Sequence, residues 1–267
     1  MEAMTKITAL LFTLCVATSA AAENSSTIES LVNCMATTDV RCGQVMNAAK
    51  ASIRLRGQLE ALAAKGIVQR ITIVDTQDIP KIRGVAFSAA FAGKTIYIEN
   101  AMLDQLRKGE NAIARNTPGL VPNNLVFVLS HLAYHAEHEQ EMKQYEEQRR
   151  SEMEEKMRTS SKKIPFDATQ MLIDSQAKHL QEEAAAYLYA WNIMLDAAAE
   201  ELQTNSLDIM QVNQLLRNFR YRMYILKGMS VQPIHIAIGA DGHIELNQQN
   251  VAAMAEALRT SSVADFQ

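Results

Sequence analysis

The chain has 267 residues, of which 48% are hydrophobic and 21% charged, a balance typical of a globular protein with a substantial core. Its 26 Lys and Arg residues against 30 Asp and Glu residues give a net charge of −4, which provides no general attraction to nucleic acid or to an anionic membrane. Only 10 glycines and 5 prolines occur, which favours helices. Collagen-like, disordered and multi-span membrane proteins are excluded.

Residues 1–22 have the pattern of a secretory signal peptide. Lys6 precedes an apolar stretch at 7–17, and small residues follow up to Ala22. We therefore expect cleavage after Ala22 and export to the periplasm or the medium of a bacterium. An uncleaved anchor is the alternative, but a bilayer span needs roughly 18 or more apolar residues, and no later stretch has that length either.

Cleavage there removes Cys15 and leaves Cys34 and Cys42 as an even pair. In an oxidising compartment, two cysteines this close in sequence are typical of one disulfide. A zinc or redox pair is the competing interpretation, although the spacing is not CxxC. We expect this disulfide to fasten an N-terminal helical segment, residues 23–65, in which two amphipathic helices at 26–62 are separated by a break at 37–39.

The next segment, residues 66–230, begins with short strands and continues with long helices. Strands rich in β-branched residues are predicted at 67–74, 85–92 and 94–99, the last two forming a hairpin around Gly93. Helices are predicted at 100–106, 124–163, 167–202 and 206–227. The charged stretch 137–163 is interpreted as a solvated helical arm. The prediction is an α+β, helix-dominated fold with a small antiparallel or mixed sheet.

The C-terminal segment, residues 231–267, carries a hairpin signal and one more helix. Apolar stretches at 234–238 and 243–246 flank the turn sequence Gly-Ala-Asp-Gly, which predicts two paired strands. A helix is predicted at 251–258.

Histidines cluster near the start of the predicted helix 124–163. His131 and His135 are four residues apart, so their imidazoles emerge from one face of the helix and can bind one zinc ion. His138 lies on the same stripe but too far along a straight helix for the same ion, which leaves it as an alternate ligand or an exposed residue. A third ligand is expected from the next helix, where Glu182 and Glu183 precede three alanines that permit close approach.

This arrangement resembles the gluzincin branch of the zincin metallopeptidases across roughly residues 66–191. In that family a helix carries HExxH, its two histidines bind zinc, and a downstream glutamate is the third protein ligand. His131 and His135 match the two histidines, and Glu183 or Glu182 matches the glutamate. The resemblance implies a zincin-like domain with zinc as its cofactor.

Leu132 departs from this pattern, because it stands where the family has the glutamate that activates the zinc-bound water. Leucine cannot accept a proton, so hydrolysis by the usual mechanism is not expected. The leading hypothesis is an exported, catalytically degenerate metallopeptidase homologue that binds a peptide or a protein. The alternatives are an active zinc hydrolase that uses Glu137, Glu139 or a group of the substrate as its base, and a metal-free helical interaction module that uses the arm 137–163.

Cationic residues form a basic stripe on the predicted helix 206–227, with aromatic residues interleaved. The cations are Arg217, Arg220, Arg222 and Lys227. This stripe is expected either to pair with the acidic arm or to meet an anionic partner.

Overall fold

The computed structural model describes residues 27–33, 39–81, 87–116, 120–160 and 167–261. The predicted signal peptide at 1–22 lies outside these ranges. Cys34 lies outside them as well, so its disulfide with Cys42 stays a prediction.

Within these ranges the fold is α+β and dominated by helices, as predicted, with one small mixed sheet. The strands are β1 (Val32–Asn33), β2 (Arg70–Val74), β3 (Ala89–Ala92) and β4 (Thr95–Glu99). Their order across the sheet is β1-β2-β4-β3, with β1, β2 and β4 parallel. The hairpin predicted around Gly93 is confirmed, because β3 runs antiparallel to β4 and forms one edge of the sheet.

Several helices begin where a polar side chain caps the first turn. Asp39, Ser52 and Asn123 each accept a hydrogen bond from a backbone N–H of the helix that follows. The helices are α1 (Thr27–Leu31), α2 (Val40–Lys50), α3 (Ile53–Ala64), α4 (Asn100–Asn116), α5 (Asn124–Thr159), α6 (Thr169–Glu201), α7 (Ile209–Asn218), α8 (Arg222–Ser230) and α9 (Gln248–Arg259).

The two long helices, α5 and α6, form the centre of the molecule. The first part of α5 is buried as far as Ala136, whereas α6 is buried mainly from Ala184 onwards. Because the chain reverses direction between them, the buried halves lie side by side. One hydrophobic core contains side chains from Ile28 to Leu258 and so includes all three predicted segments of the chain.

The exposed halves of α5 and α6 continue beyond the core as a two-helix arm. As predicted, the charged part of α5 is largely solvated, but α6 runs beside it and contributes ion pairs. Arg149 contacts Asp174 at 3.1 Å, and Lys178 contacts Glu141 at 3.2 Å. Exposed pairs of this kind contribute little each, so the arm depends on its attachment to the core for its position.

None of the helices in the described ranges combines the length and the hydropathy needed to cross a membrane.

The single helix predicted at 206–227 is wrong, because the chain breaks between α7 and α8. Phe219 adopts an extended conformation (φ −70°, ψ 131°) and is buried between Phe127 and Trp191, at ring-centroid distances of 4.9 and 5.4 Å. The backbone N–H of Arg220 then donates to Asn124 Oδ1 at 3.2 Å. Burial of an aromatic ring at the break outweighs the local helical preference of this stretch.

The paired strands predicted at 234–238 and 243–246 are also wrong, although the turn between them exists. The backbone N–H of Gly239 donates to the carbonyl of His243 at 2.8 Å, and no strand is formed at 234–246. Asparagine side chains take the place of a strand partner: Asn192 bonds both backbone groups of Ile244, and Asn250 bonds Ala237 and Glu245. These extended segments therefore satisfy part of their backbone through helices α6 and α9.

Candidate metal centre

His131 and His135 lie on α5 at the point where the helix leaves the core. Their Nε2 atoms are 2.9 Å apart, so both rings point at the same small volume, as the spacing of four residues predicts. Phe127 and Tyr187 contact the ring of His131 at centroid distances of 6.2 and 5.0 Å and fix its orientation. The next turn of α5 is already solvated, which leaves the two imidazoles half-buried.

The neighbouring helix α6 brings a carboxylate to the same point. Glu183 places one oxygen 3.2 Å from His131 Nε2 and the other 3.1 Å from His135 Nε2. Suitable ligand atoms of the three residues all lie within 4.8 Å of one another, so the cluster can hold a metal ion. It is Glu183 rather than Glu182 that faces both histidines, which decides between the two residues for which the sequence left the choice open.

Glu182 has a different position, on the far side of His135. Its Oε1 accepts a hydrogen bond from His135 Nδ1 at 2.7 Å, and its side chain is mostly buried. A carboxylate on Nδ1 fixes the orientation of the ring and directs Nε2 toward His131 and Glu183, an arrangement common around metal-binding histidines. His131 differs, because its Nδ1 is buried and has no hydrogen-bond partner among the described residues.

The electrostatics of the cluster keep the Glu183 carboxylate ionised. Burial favours neutral forms, but the charges and hydrogen bonds of His131 and His135 outweigh it and hold the pKa of Glu183 well below its usual range. Burial likewise opposes protonation of His135, but the hydrogen bonds that His135 donates to Glu182 and Glu183, with the charges of these carboxylates, outweigh it and raise its pKa to about 10. Two adjacent carboxylates thus favour positive charge at this position.

Leu132 lies beside this cluster and is only 7% exposed. The carboxylates considered as replacement bases lie elsewhere: Glu137 accepts a hydrogen bond from Gln58 at 2.9 Å, and Glu139 pairs with Lys143 at 2.8 Å. Neither contacts the histidines or Glu183. The geometry therefore provides no support for Glu137 or Glu139 as a general base.

His138 and Ser130 have structural contacts. The Nδ1 of His138 bonds the carbonyl of Tyr134 at 2.9 Å, and the His138 ring stacks on the Tyr134 ring. Ser130 is buried and donates to the carbonyl of Val126 at 2.7 Å. His138 is thus directed away from the cluster, and Ser130 is not arranged as a nucleophile.

A cleft of about 210 Å³ opens between the edge strand β3 and α5, directly beside the cluster. Its lining residues are Phe87, Ser88, Ala89, Met102, Phe127, Val128, His131, Leu132, Glu183, Tyr187, Arg220 and Tyr221. The edge strand and the histidine-bearing part of α5 form two of its walls. The sequence did not place Arg220 and Tyr221 there, because the break at Phe219 that brings them to the cleft was predicted as continuous helix.

No family model, curated protein or solved structure matches this chain.

Proposed function

We propose that this chain is an exported, metallopeptidase-like protein that binds zinc at His131, His135 and Glu183 and holds a peptide or protein segment in the adjacent cleft without hydrolysing it. The observation that carries the proposal is the convergence of two Nε2 atoms and one carboxylate on a single point. A tetrahedral zinc ion with bonds of about 2.0–2.1 Å needs ligand atoms about 3.3 Å apart. The distances of 2.9–3.2 Å come close to that requirement.

The donor set supports zinc in particular. Two imidazoles and one carboxylate are a usual protein ligand set for zinc, with a fourth position left for water or for a ligand group. A zinc ion held by His131, His135 and Glu183 would supply a Lewis acid beside the cleft. The chain's own residues position the ion and line the cleft, but Leu132 supplies no group that takes up a proton.

The edge strand supports a peptide as the ligand. Among the described residues, β3 pairs only with β4, and its first residue, Ala89, lines the cleft. The unpaired edge of β3 can therefore bond the backbone of an extended segment whose side chain lies against the apolar and aromatic residues of the cleft.

Metal stoichiometry tests the site. The protein is expressed with its own leader, purified without a chelator or histidine tag, and analysed for zinc beside His131→Ala and His235→Ala. We expect about one zinc per chain, lost in His131→Ala and retained in His235→Ala, because His235 is exposed and distant from the cluster in sequence. Absence of metal from the wild type, even after incubation with zinc, contradicts the proposal.

Replacing the arm tests the alternative that the protein is a metal-free interaction module whose contact surface is the arm. Partner capture that is unchanged after replacement of 143–176 by a short turn would exclude the arm as the contact surface and leave the cleft as the candidate.

A further inference from the structure

The cleft beside the candidate metal centre has one rigid aromatic wall. The rings of Phe127, Tyr187 and Tyr221 contact one another, with centroids 5.6 Å apart for Phe127–Tyr187 and 5.0 Å for Phe127–Tyr221. Phe219 packs behind them at 4.9 Å from Phe127. Edge-to-face and offset contacts of this kind favour a fixed surface for an apolar side chain.

Arg220 lies at the edge of this aromatic wall. Among the described residues that line the cleft, it is the only Lys or Arg. Its backbone is held by Asn124, a buried residue at the start of α5, and its guanidinium lies 5.9 Å from the centre of the Tyr221 ring. Within the described part of the chain, no ion pair joins this guanidinium to an acidic residue. The fold therefore sets the backbone position of Arg220, while the hydrogen-bond donors of its exposed guanidinium are available to a ligand.

The carboxylate in the cleft is already engaged. Glu183 contacts both histidines, and Glu182 contacts His135 from behind. Arg220 thus provides a positive charge that the described lining of the cleft does not balance, and a planar guanidinium matches the geometry of a carboxylate.

We propose that the cleft recognises the C-terminal residue of a peptide, with its α-carboxylate on Arg220 and an apolar side chain against Tyr187 and Tyr221. This inference rests on the proposed peptide-binding function and specifies its ligand. The small volume, about 210 Å³, suits one terminal residue rather than the middle of a folded segment.

A second cavity gives the rest of the peptide a path. A groove of about 620 Å³ lies between the arm portions of α5 and α6, and Glu183 borders both this groove and the cleft. Its lining includes Met153, Leu172 and Leu180, which offer apolar contacts. Because Glu183 borders both cavities, a peptide whose last residue occupies the cleft can extend past the candidate metal centre into this groove.

The test compares three peptides by isothermal titration against the zinc-loaded protein: acetyl-Ala-Ala-Phe as the free acid, the same peptide as its C-terminal amide, and acetyl-Ala-Asp-Phe amide, which carries only a side-chain carboxylate. We expect the free acid to bind about tenfold or more tightly than either amide, since a hydrogen-bonded charge pair is lost in both. Arg220→Gln should abolish this preference, Arg220→Lys should retain part of it, and Arg217→Gln, an exposed control, should leave it unchanged.

The outcomes separate the two proposals. Equal binding of acid and amide overturns recognition of the terminal carboxylate while peptide binding stands, and equal binding of the two acidic peptides shows that an internal acidic residue is recognised instead. A preference for the acid that survives Arg220→Gln overturns the role of Arg220. Failure of all three peptides to bind a protein that holds its zinc overturns this inference together with the peptide-binding part of the proposed function.

Discussion

Leu132 occupies the turn of α5 between the two histidines and lines the cleft next to Glu183. An acidic side chain at this position would project into the cleft beside His131 and Glu183, where the proposed resemblance to the gluzincins requires a general base. We predict that Leu132→Glu keeps zinc bound and raises hydrolysis of casein, an unstructured protein, by about 100-fold or more over the wild type, the usual contribution of a positioned general base.

Leu132→Gln is the matched control, because glutamine has the same size and polarity but does not accept a proton at neutral pH. It should bind zinc and remain as inactive as the wild type. If Leu132→Glu stays inert with zinc fully bound, the chain is not a metallopeptidase homologue that lost only its base.

Glu182 acts on the metal centre through His135 rather than by direct contact. Its hydrogen bond to Nδ1, at 2.7 Å, orients the imidazole whose Nε2 faces Glu183. We predict that Glu182→Ala weakens zinc binding by about 10–100-fold, the usual effect of removing such a partner, without abolishing it. Competition titration against a chromophoric chelator measures the change.

Two variants bracket this result. Glu183→Ala should abolish binding at the same zinc concentrations, since it removes a ligand. Glu139→Ala, which removes an exposed carboxylate paired with Lys143, should bind zinc as the wild type does. If Glu182→Ala and Glu183→Ala lose the same affinity, the assignment of different roles to the two residues is wrong.

At the level of helices and strands, the sequence predicts most of the elements that position the candidate metal centre. The four-residue spacing places His131 and His135 on one face of a helix whatever the rest of the chain does. The choice between Glu182 and Glu183 is different, because adjacent helical residues point about 100° apart and only the packing of α6 on α5 fixes its rotation. Local patterns also could not reveal that Phe219 enters the core and interrupts a helix, which is why Arg220 was missed at the cleft.

The C-terminal segment shows the same limit of prediction from local sequence patterns. Its alternating apolar residues and turn predict two paired strands, yet Asn192 of α6 bonds the N–H and the carbonyl of Ile244, at 2.9 and 2.8 Å. Trp191 adds a hydrogen bond to the carbonyl of Gly242 at 2.9 Å. A side-chain amide 52 positions away is invisible to a local pattern, and it attaches this segment to the core helix.

Because Asn192 attaches the C-terminal segment to α6, we predict that Asn192→Ala strongly destabilises the protein. The change leaves both buried backbone groups of Ile244 without a partner, so we expect the free energy of unfolding to fall by roughly 2–4 kcal/mol. Urea denaturation measures it. Asn111→Ala is the control, because Asn111 is an exposed residue of α4, and its unfolding free energy should lie within about 0.5 kcal/mol of the wild type. Equal effects of the two changes would contradict the role given to Asn192.

Across the whole molecule, one polar cluster joins the N-terminal helices, the central helix and the C-terminal segment. Asp196 of α6 accepts from Arg54 of α3 at 2.7 Å and contacts His243 Nε2 at 2.8 Å. The hydrogen bonds and charge of His243, with the charge of Arg54, outweigh burial and lower the pKa of Asp196. The cluster therefore connects parts of the chain that are far apart in sequence, and its strength depends on the protonation of His243.

The hydrogen bond to Asp196 raises the pKa of His243, and the nearby charge of Asp241 acts in the same direction, while burial opposes both. Since the pKa is higher in the folded than in the unfolded chain, where it is about 6.5, the protonated ring adds stability that is complete below about pH 6.5 and is lost as the pH rises through the folded value. We predict that His243→Gln lowers the free energy of unfolding by on the order of 0.5–1 kcal/mol more at pH 6 than at pH 9. Urea denaturation at both pH values measures the difference, with His235→Gln, which replaces an exposed histidine, as the control. A destabilisation of His243→Gln that is equal at the two pH values would mean that His243 connects these segments as a neutral ring, through packing and not through charge.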